Sequence, residues 1–190
     1  MVETIRRYTT PAMALHWLLA LLMLVLVILG WFMIGIARGI PARGFYFNLH
    51  KSIGIVGGAA VILQLWWRAK RPPPALPATL PRWQIKASSI SHKLLYLCMV
   101  LLAVSGYVEA NFTKYGVLFF GLHLPPWGWE NRQISALLTA LHRYISYGFT
   151  MLVAGHIAAA IYHGVVGKER IVARMLPAWF GSRGSATRTN

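Results

Sequence analysis

The stretch ISALLTALHRYISYGFTMLVAGHIAAAIYHGVV, from Ile134 to Val166, decides the fold. It is apolar over more than the roughly 20 residues that carry an α-helix across a hydrocarbon core, so a tilted or protruding transmembrane helix is expected. Within it His142 and His156 stand 14 residues apart. On a helix that spacing is a rise of about 21 Å with a return to nearly the same face. Ionisable side chains are costly inside a bilayer, and two of them on one face at different depths point to two functional sites stacked across the membrane.

Three further apolar runs precede this one, over residues 12–36, 47–67 and 88–109. The first is entered through Thr10-Pro11, and the second is stopped by Arg68-Ala-Lys-Arg71 and Pro72-Pro-Pro74. Residues 68–87 read as a Pro-rich connector and 110–133 as an interfacial aromatic loop broken by Gly and Pro, with a polar tail at 167–190. The expected architecture is all-α, an integral membrane four-helix bundle forming a single domain. Hydrophobic residues make up 57% of the 190, and the mean hydropathy is +0.54, which excludes an ordinary soluble domain. The first run is too long for a signal-peptide core and lacks a small-residue cleavage site, so it is expected to be retained.

The net charge of +15 would suggest nucleic acid in a soluble protein, but here the charges lie between apolar runs, as for a chain among lipid head groups. Four crossings put both termini on one side. Thirteen Lys and Arg (Arg6, Arg7, Arg68, Lys70, Arg71, Arg82, Lys86, Lys93, Lys168, Arg170, Arg174, Arg183, Arg188) fall on that side. Six (Arg38, Arg43, Lys51, Lys114, Arg132, Arg143) fall on the other, so both termini are predicted to be cytoplasmic. The connector and tail are then cytoplasmic and the aromatic loop periplasmic. The single Cys98 lies in an apolar run, which excludes an intrachain disulfide or a cysteine cluster.

The first run enters from the terminal side and the fourth leaves there, so His16 and His156 share a depth. The second run enters from the opposite side, so His50 shares a depth with His142. Facing imidazole pairs suit haem iron, because the porphyrin fills the equatorial positions and needs two axial nitrogens. Zinc in a closed site takes four ligands, and Glu109 and Glu130 lie at or beyond the end of the third run. Two b-type haems are therefore expected, one between His16 and His156 and one between His50 and His142. The alternative for each histidine is an interhelical hydrogen bond. His163, seven residues past His156, and His92, at the start of the third run, are open to three readings: haem propionate partner, quinone contact or interface histidine. His123 in the aromatic loop reads as an ordinary surface residue. Gly54, Gly57 and Gly58 form a close-approach surface for a helix or a flat macrocycle. The six basic residues of the far side would attract a small anion, or else sit among head groups.

Several motifs in order carry a family resemblance: Ala14-Leu-His-Trp-Leu18, Asn48-Leu-His-Lys51, Ser91-His-Lys-Leu-Leu-Tyr96, Leu141-His142, Gly155-His-Ile-Ala-Ala-Ala160, His163 and Arg174-Met-Leu-Pro177. Over nearly its whole length the chain resembles the bacterial cytochrome b561 family. The resemblance implies a cytochrome of the bacterial inner membrane with two haems b on the same histidine pairs. It also implies a superoxide oxidase-like activity, with electrons taken from superoxide on the periplasmic side and passed to ubiquinone on the cytoplasmic side, where His163 contacts the quinone head group. The basic far side then serves as a collector of superoxide. No catalytic residue beyond these is indicated. Two alternatives stand beside this reading. One is a cytochrome b anchor linking a redox partner protein to the quinone pool; the other is a haem-free helical bundle.

Overall fold

The computed structural model describes residues 7–77, 79–165 and 171–177. Four long helices dominate: α1 (Thr10–Gly35), α2 (Pro41–Lys70), α3 (Arg82–Asn111) and α4 (Arg132–Val165). Each is long and apolar enough to cross a membrane. Large apolar side chains such as Leu21, Ile28, Ile62 and Met151 point outward over the whole girth of the bundle. In water this surface would drive aggregation; in a bilayer it is the lipid-facing coat. The protein is a four-helix membrane bundle.

The helices overrun the apolar segments. The second begins at Pro41 rather than Phe47 and the third at Arg82 rather than Ser88, so the extended connector shrinks to residues 71–81. Apolar runs mark the part of a helix that touches hydrocarbon, whereas its hydrogen-bond ladder continues until the backbone forbids it. Pro41 sits in the first turn of α2, and Pro81 is the residue before α3. Arg6, Lys168, Arg170, Arg183, Arg188, the end of the fourth segment at Val166 and most of the tail lie outside the described residues.

At mid-height Leu19, Ala60, Val61, Met99 and Phe149 form the buried core, drawn from all four helices. Phe149 lies seven residues from both His142 and His156, on their face of α4, so an apolar plug fills the interval between the two histidine levels.

The loop between α3 and α4 contains a hairpin that the sequence pattern did not reveal, β1 (Val117–Phe119) against β2 (Leu122–Leu124). Its two-residue turn, Phe120-Gly121, has φ of 45° and 93°, the left-handed values of a type I′ turn. Asn-Gly is the usual signal for such a turn, and a phenylalanine in that conformation is strained. Contacts to α2 hold it. The buried Ser52 hydroxyl accepts from the Phe120 N–H at 2.9 Å and lies 3.1 Å from Leu118 O, and Lys51 donates to Gly116 O at 3.0 Å. Ser52→Ala leaves the Phe120 N–H without its acceptor and is expected to cost about 1–3 kcal/mol locally. Faster amide exchange of residues 117–124, with α1–α4 unchanged, is the readout.

At the opposite end the chain after α4 forms a short 3-10 turn (Val172–Met175) that packs against the start of α1 and the connector. The buried Arg174 donates to Pro74 O at 2.7 Å and Ala75 O at 2.8 Å, its own carbonyl accepts from the Tyr8 N–H, and Trp17 donates to Met175 O. Arg174 counted in sequence as one of the orienting surface charges; it is a buried brace joining connector, N-terminus and tail.

Candidate functional site

The four histidines come together in two pairs. His16 on α1 faces His156 on α4 with ring centroids 6.3 Å apart, and His50 on α2 faces His142 on α4 at 6.2 Å. Two metal–nitrogen bonds of about 2 Å each, plus the distance of about 1 Å from each nitrogen to its ring centre, place two rings that ligate one metal on opposite sides roughly 6 Å apart. Direct imidazole hydrogen bonds would bring the rings about 1 Å closer, and neither pair makes one. Among the described residues no group of three or more His, Cys, Asp or Glu converges as a metal site. The donor set is thus two imidazoles per site, which fits an iron whose other four positions are filled by a macrocycle and does not fit closed tetrahedral zinc.

The pair at the hairpin end is the more enclosed. His142 Nδ1 lies 3.0 Å from Ser105 Oγ, whose hydroxyl reaches Leu102 O at 3.2 Å. With the hydroxyl proton on that carbonyl, Ser105 accepts from His142 Nδ1–H, and Nε2 keeps the lone pair that a metal needs. Gly106 backs the same ring: a Cβ there would stand 3.2 Å from His142 Cε1. Gly30 backs His50 in the same way at 3.4 Å, and His50 Nδ1 is buried without a hydrogen-bond partner. Ser105, Gly30 and Gly106 carry no signal in a single sequence, because only interhelical packing brings them to the rings.

The other pair gains a third ring. His92 on α3 stands edge-on to His156, with centroids 5.1 Å apart. Its Nδ1 is 2.7 Å from Ser88 O, and since a carbonyl only accepts, Nδ1 carries the proton and Nε2 the lone pair. His163 lies in the last turn of α4, two turns past His156, with its ring edge-on to Tyr162. His123 is exposed on β2. Gly54 meets nothing, whereas Gly57 and Gly58 receive Met23 and Ala103, so those two serve plain helix packing.

The basic residues of the hairpin end divide into two groups. Arg43 caps α1 by donating to Met33 O and Ile36 O and stacks on Phe47, and Lys51 is held by the hairpin. Arg38, Lys114, Arg132 and Arg143 are exposed. Four of the six cations are therefore exposed on the surface of the bundle.

The sequence profile described as prokaryotic cytochrome b561 matches residues 7–178. Cytochrome b561 homolog 1 of Escherichia coli (strain K12) is 26% identical over 176 residues, covering 90% of this chain and 97% of that protein. Cytochrome b561 homolog 2 of the same organism is 29% identical over 179 residues, covering 92% and 93%. A protein of Yersinia pestis named probable superoxide oxidase CybB is 25% identical over 176 residues, covering 90% and 97%. Through the match over nearly its full length and through its four membrane-crossing helices, the chain belongs to the prokaryotic cytochrome b561 family of haem b membrane electron-transfer proteins.

Proposed function

We propose that the chain binds two haems b, one between His16 and His156 and one between His50 and His142, and moves electrons from superoxide on the periplasmic side of the bacterial inner membrane to ubiquinone on the cytoplasmic side. The observation that carries this reading is the pair of 6.2 and 6.3 Å imidazole separations at opposite ends of one bundle. Haem b, when bound, supplies a one-electron iron couple at each level. Everything else is work for the chain. His16 with His156 and His50 with His142 would hold the haems, which would then supply electron transfer without binding oxygen at the metal. The exposed Arg38, Lys114, Arg132 and Arg143 raise the local concentration of an anionic donor, in keeping with the name of the Yersinia pestis relative. The Phe149 plug keeps water out of the interval between the levels. His163 stands at the cytoplasmic end as the contact for the quinone head group, as the family resemblance implies. The balance is two superoxide anions losing one electron each to give two O2, and one quinone taking two electrons and two protons to give quinol.

Purified, quinone-loaded protein given superoxide should show haem reduction within the mixing time. Raising ionic strength from about 0.01 to about 0.15 M shortens the screening length from about 30 to about 8 Å and should slow that reduction by roughly tenfold. Haems left oxidised by superoxide would remove this substrate from the proposal. Co-purification of a redox protein that reduces them would then favour the electron-transfer anchor.

A further inference from the structure

Packing of α1 on α2 is antiparallel, with Gly30 against His50, Met23 against Gly57 and Leu19 in one cluster with Ala60 and Val61. Followed toward the connector, the same seam opens into a small cleft lined by Tyr8, Gln64, Trp67, Arg68 and Arg71. Gln64 is 95% buried by its 5% exposure, its amide nitrogen reaches Tyr96 OH at 3.4 Å, and its carbonyl oxygen is enclosed with no donor. An orphaned amide oxygen of this kind is destabilising unless something donates to it. Arg68 stacks on Tyr96, and among the described residues neither Arg68 nor Arg71 pairs with a carboxylate. Trp67, its indole N–H fixed on Thr9 Oγ, forms a wall of this cleft and also of a neighbouring groove on the lipid-facing side. That groove, lined by Leu15, Leu18, Leu63, Trp66 and Trp67, holds about 520 Å³ and is almost wholly apolar.

Three unmet demands thus meet at one end of the seam: a buried acceptor wants a donor, two guanidiniums want an anion, and an open apolar groove wants hydrocarbon. We propose that this end of the α1–α2 seam is a binding site for one anionic phospholipid with a hydroxyl-bearing head group, of the phosphatidylglycerol class. Arg68 and Arg71 take the phosphate, a head-group hydroxyl donates toward the Gln64 cleft, and an acyl chain lies against Leu15, Leu18 and Leu63. Head-group depth suits the place, since α2 ends at Lys70 and α1 begins at Thr10. A quinone would fill the groove but leave both guanidiniums without an anion. Free phosphate would satisfy them and leave the groove bare.

The test is native mass spectrometry and thermal melting of the delipidated full-length protein with dioleoyl-phosphatidylglycerol, dioleoyl-phosphatidylcholine, inorganic phosphate or a short-tailed ubiquinone. One phosphatidylglycerol per chain should be retained, on the order of tenfold more tightly than phosphatidylcholine. R68Q/R71Q should abolish that preference, and Leu63→Trp, which fills the groove and leaves the cations, should weaken retention of both lipids. An unaltered haem spectrum shows that each variant has folded. Equal retention of the two lipids by the unaltered protein overturns the proposal, as does a preference that survives R68Q/R71Q. Protection by inorganic phosphate equal to that by phosphatidylglycerol would make this an anion site only. One-for-one displacement by ubiquinone would make it a quinone site.

Discussion

Replacing His156 by leucine is expected to halve the haem content, from two per chain to one, and to abolish electron transfer from superoxide to quinone while leaving the hairpin-end haem in place. Leucine is close to histidine in bulk and keeps the helix, so α4 stays packed through Phe149 and only the ligand is lost. His142→Leu, 14 residues away on the same face, should remove the other haem and spare the first. Pyridine haemochrome content per chain and the amplitude of the dithionite-reduced α-band measure both. Among the described residues His92 is placed to interfere, because its ring is 5.1 Å from that of His156 and its Nδ1–H is bonded to Ser88 O, which leaves Nε2 able to ligate. If His156→Leu keeps a fraction of the second haem, the double variant with His92→Leu should lose it. Retention of two haems by the double variant would overturn the pairing. His123→Leu, on the exposed strand β2, should keep both haems.

What made this site legible was periodicity. Apolar runs located four crossings, and the 14-residue interval on α4 set two levels that antiparallel threading then matched to His16 and His50. Both inferences use one-dimensional regularities that a helix maps directly into space. Less legible was whatever depends on two helices at once. Ser105 and Gly106 sit on α3, yet their meaning comes from His142 on α4, and no spacing within either helix encodes it. Helix ends were not legible, because hydropathy reports the solvent around a segment, and α2 and α3 continue beyond the apolar runs. The hairpin escaped because three-residue strands give too short an alternation and Phe120 occupies a turn position where asparagine is the usual signal. Charge counting also overvalued two residues. Arg43 and Lys51 read as part of a cationic surface, whereas their side chains are used in capping α1 and holding the hairpin. A count of charges cannot separate a cation that faces solvent from one whose hydrogens are already committed.

The glycines behind the hairpin-end pair give the second large effect, and it should be graded. A Cβ at Gly106 would lie 3.2 Å from His142 Cε1 and 3.4 Å from Nδ1, so alanine asks the ring to move by a few tenths of an ångström. Gly106→Ala should therefore stretch the Ser105 bond and shift the midpoint potential of that haem with modest loss of occupancy. Valine adds two methyl groups that no such movement accommodates. Gly106→Val should displace the ring, break the bond to Ser105 and empty the hairpin-end site, with an overpacking cost of about 1–3 kcal/mol. At Gly30 the first contact with His50 is 3.4 Å, an ordinary separation, so Gly30→Ala should keep the haem and only Gly30→Val should lose it. Gly148, on α4 between the two levels, meets nothing within 4 Å. Gly148→Ala should be neutral or raise stability by up to about 1 kcal/mol through helix propensity alone. Redox difference spectra resolve the two haems, and a melting curve separates displacement of the ring from general unfolding. A Gly106→Val protein with a full hairpin-end haem signal would mean that His142 does not stand against α3 when the haem is bound. Loss of the haem between His16 and His156 in the same variant would mean that the two levels are not independent. The expected outcome, loss at one level only, follows from the Phe149 plug, which stands between the pair near Gly106 and the pair formed by His16 and His156.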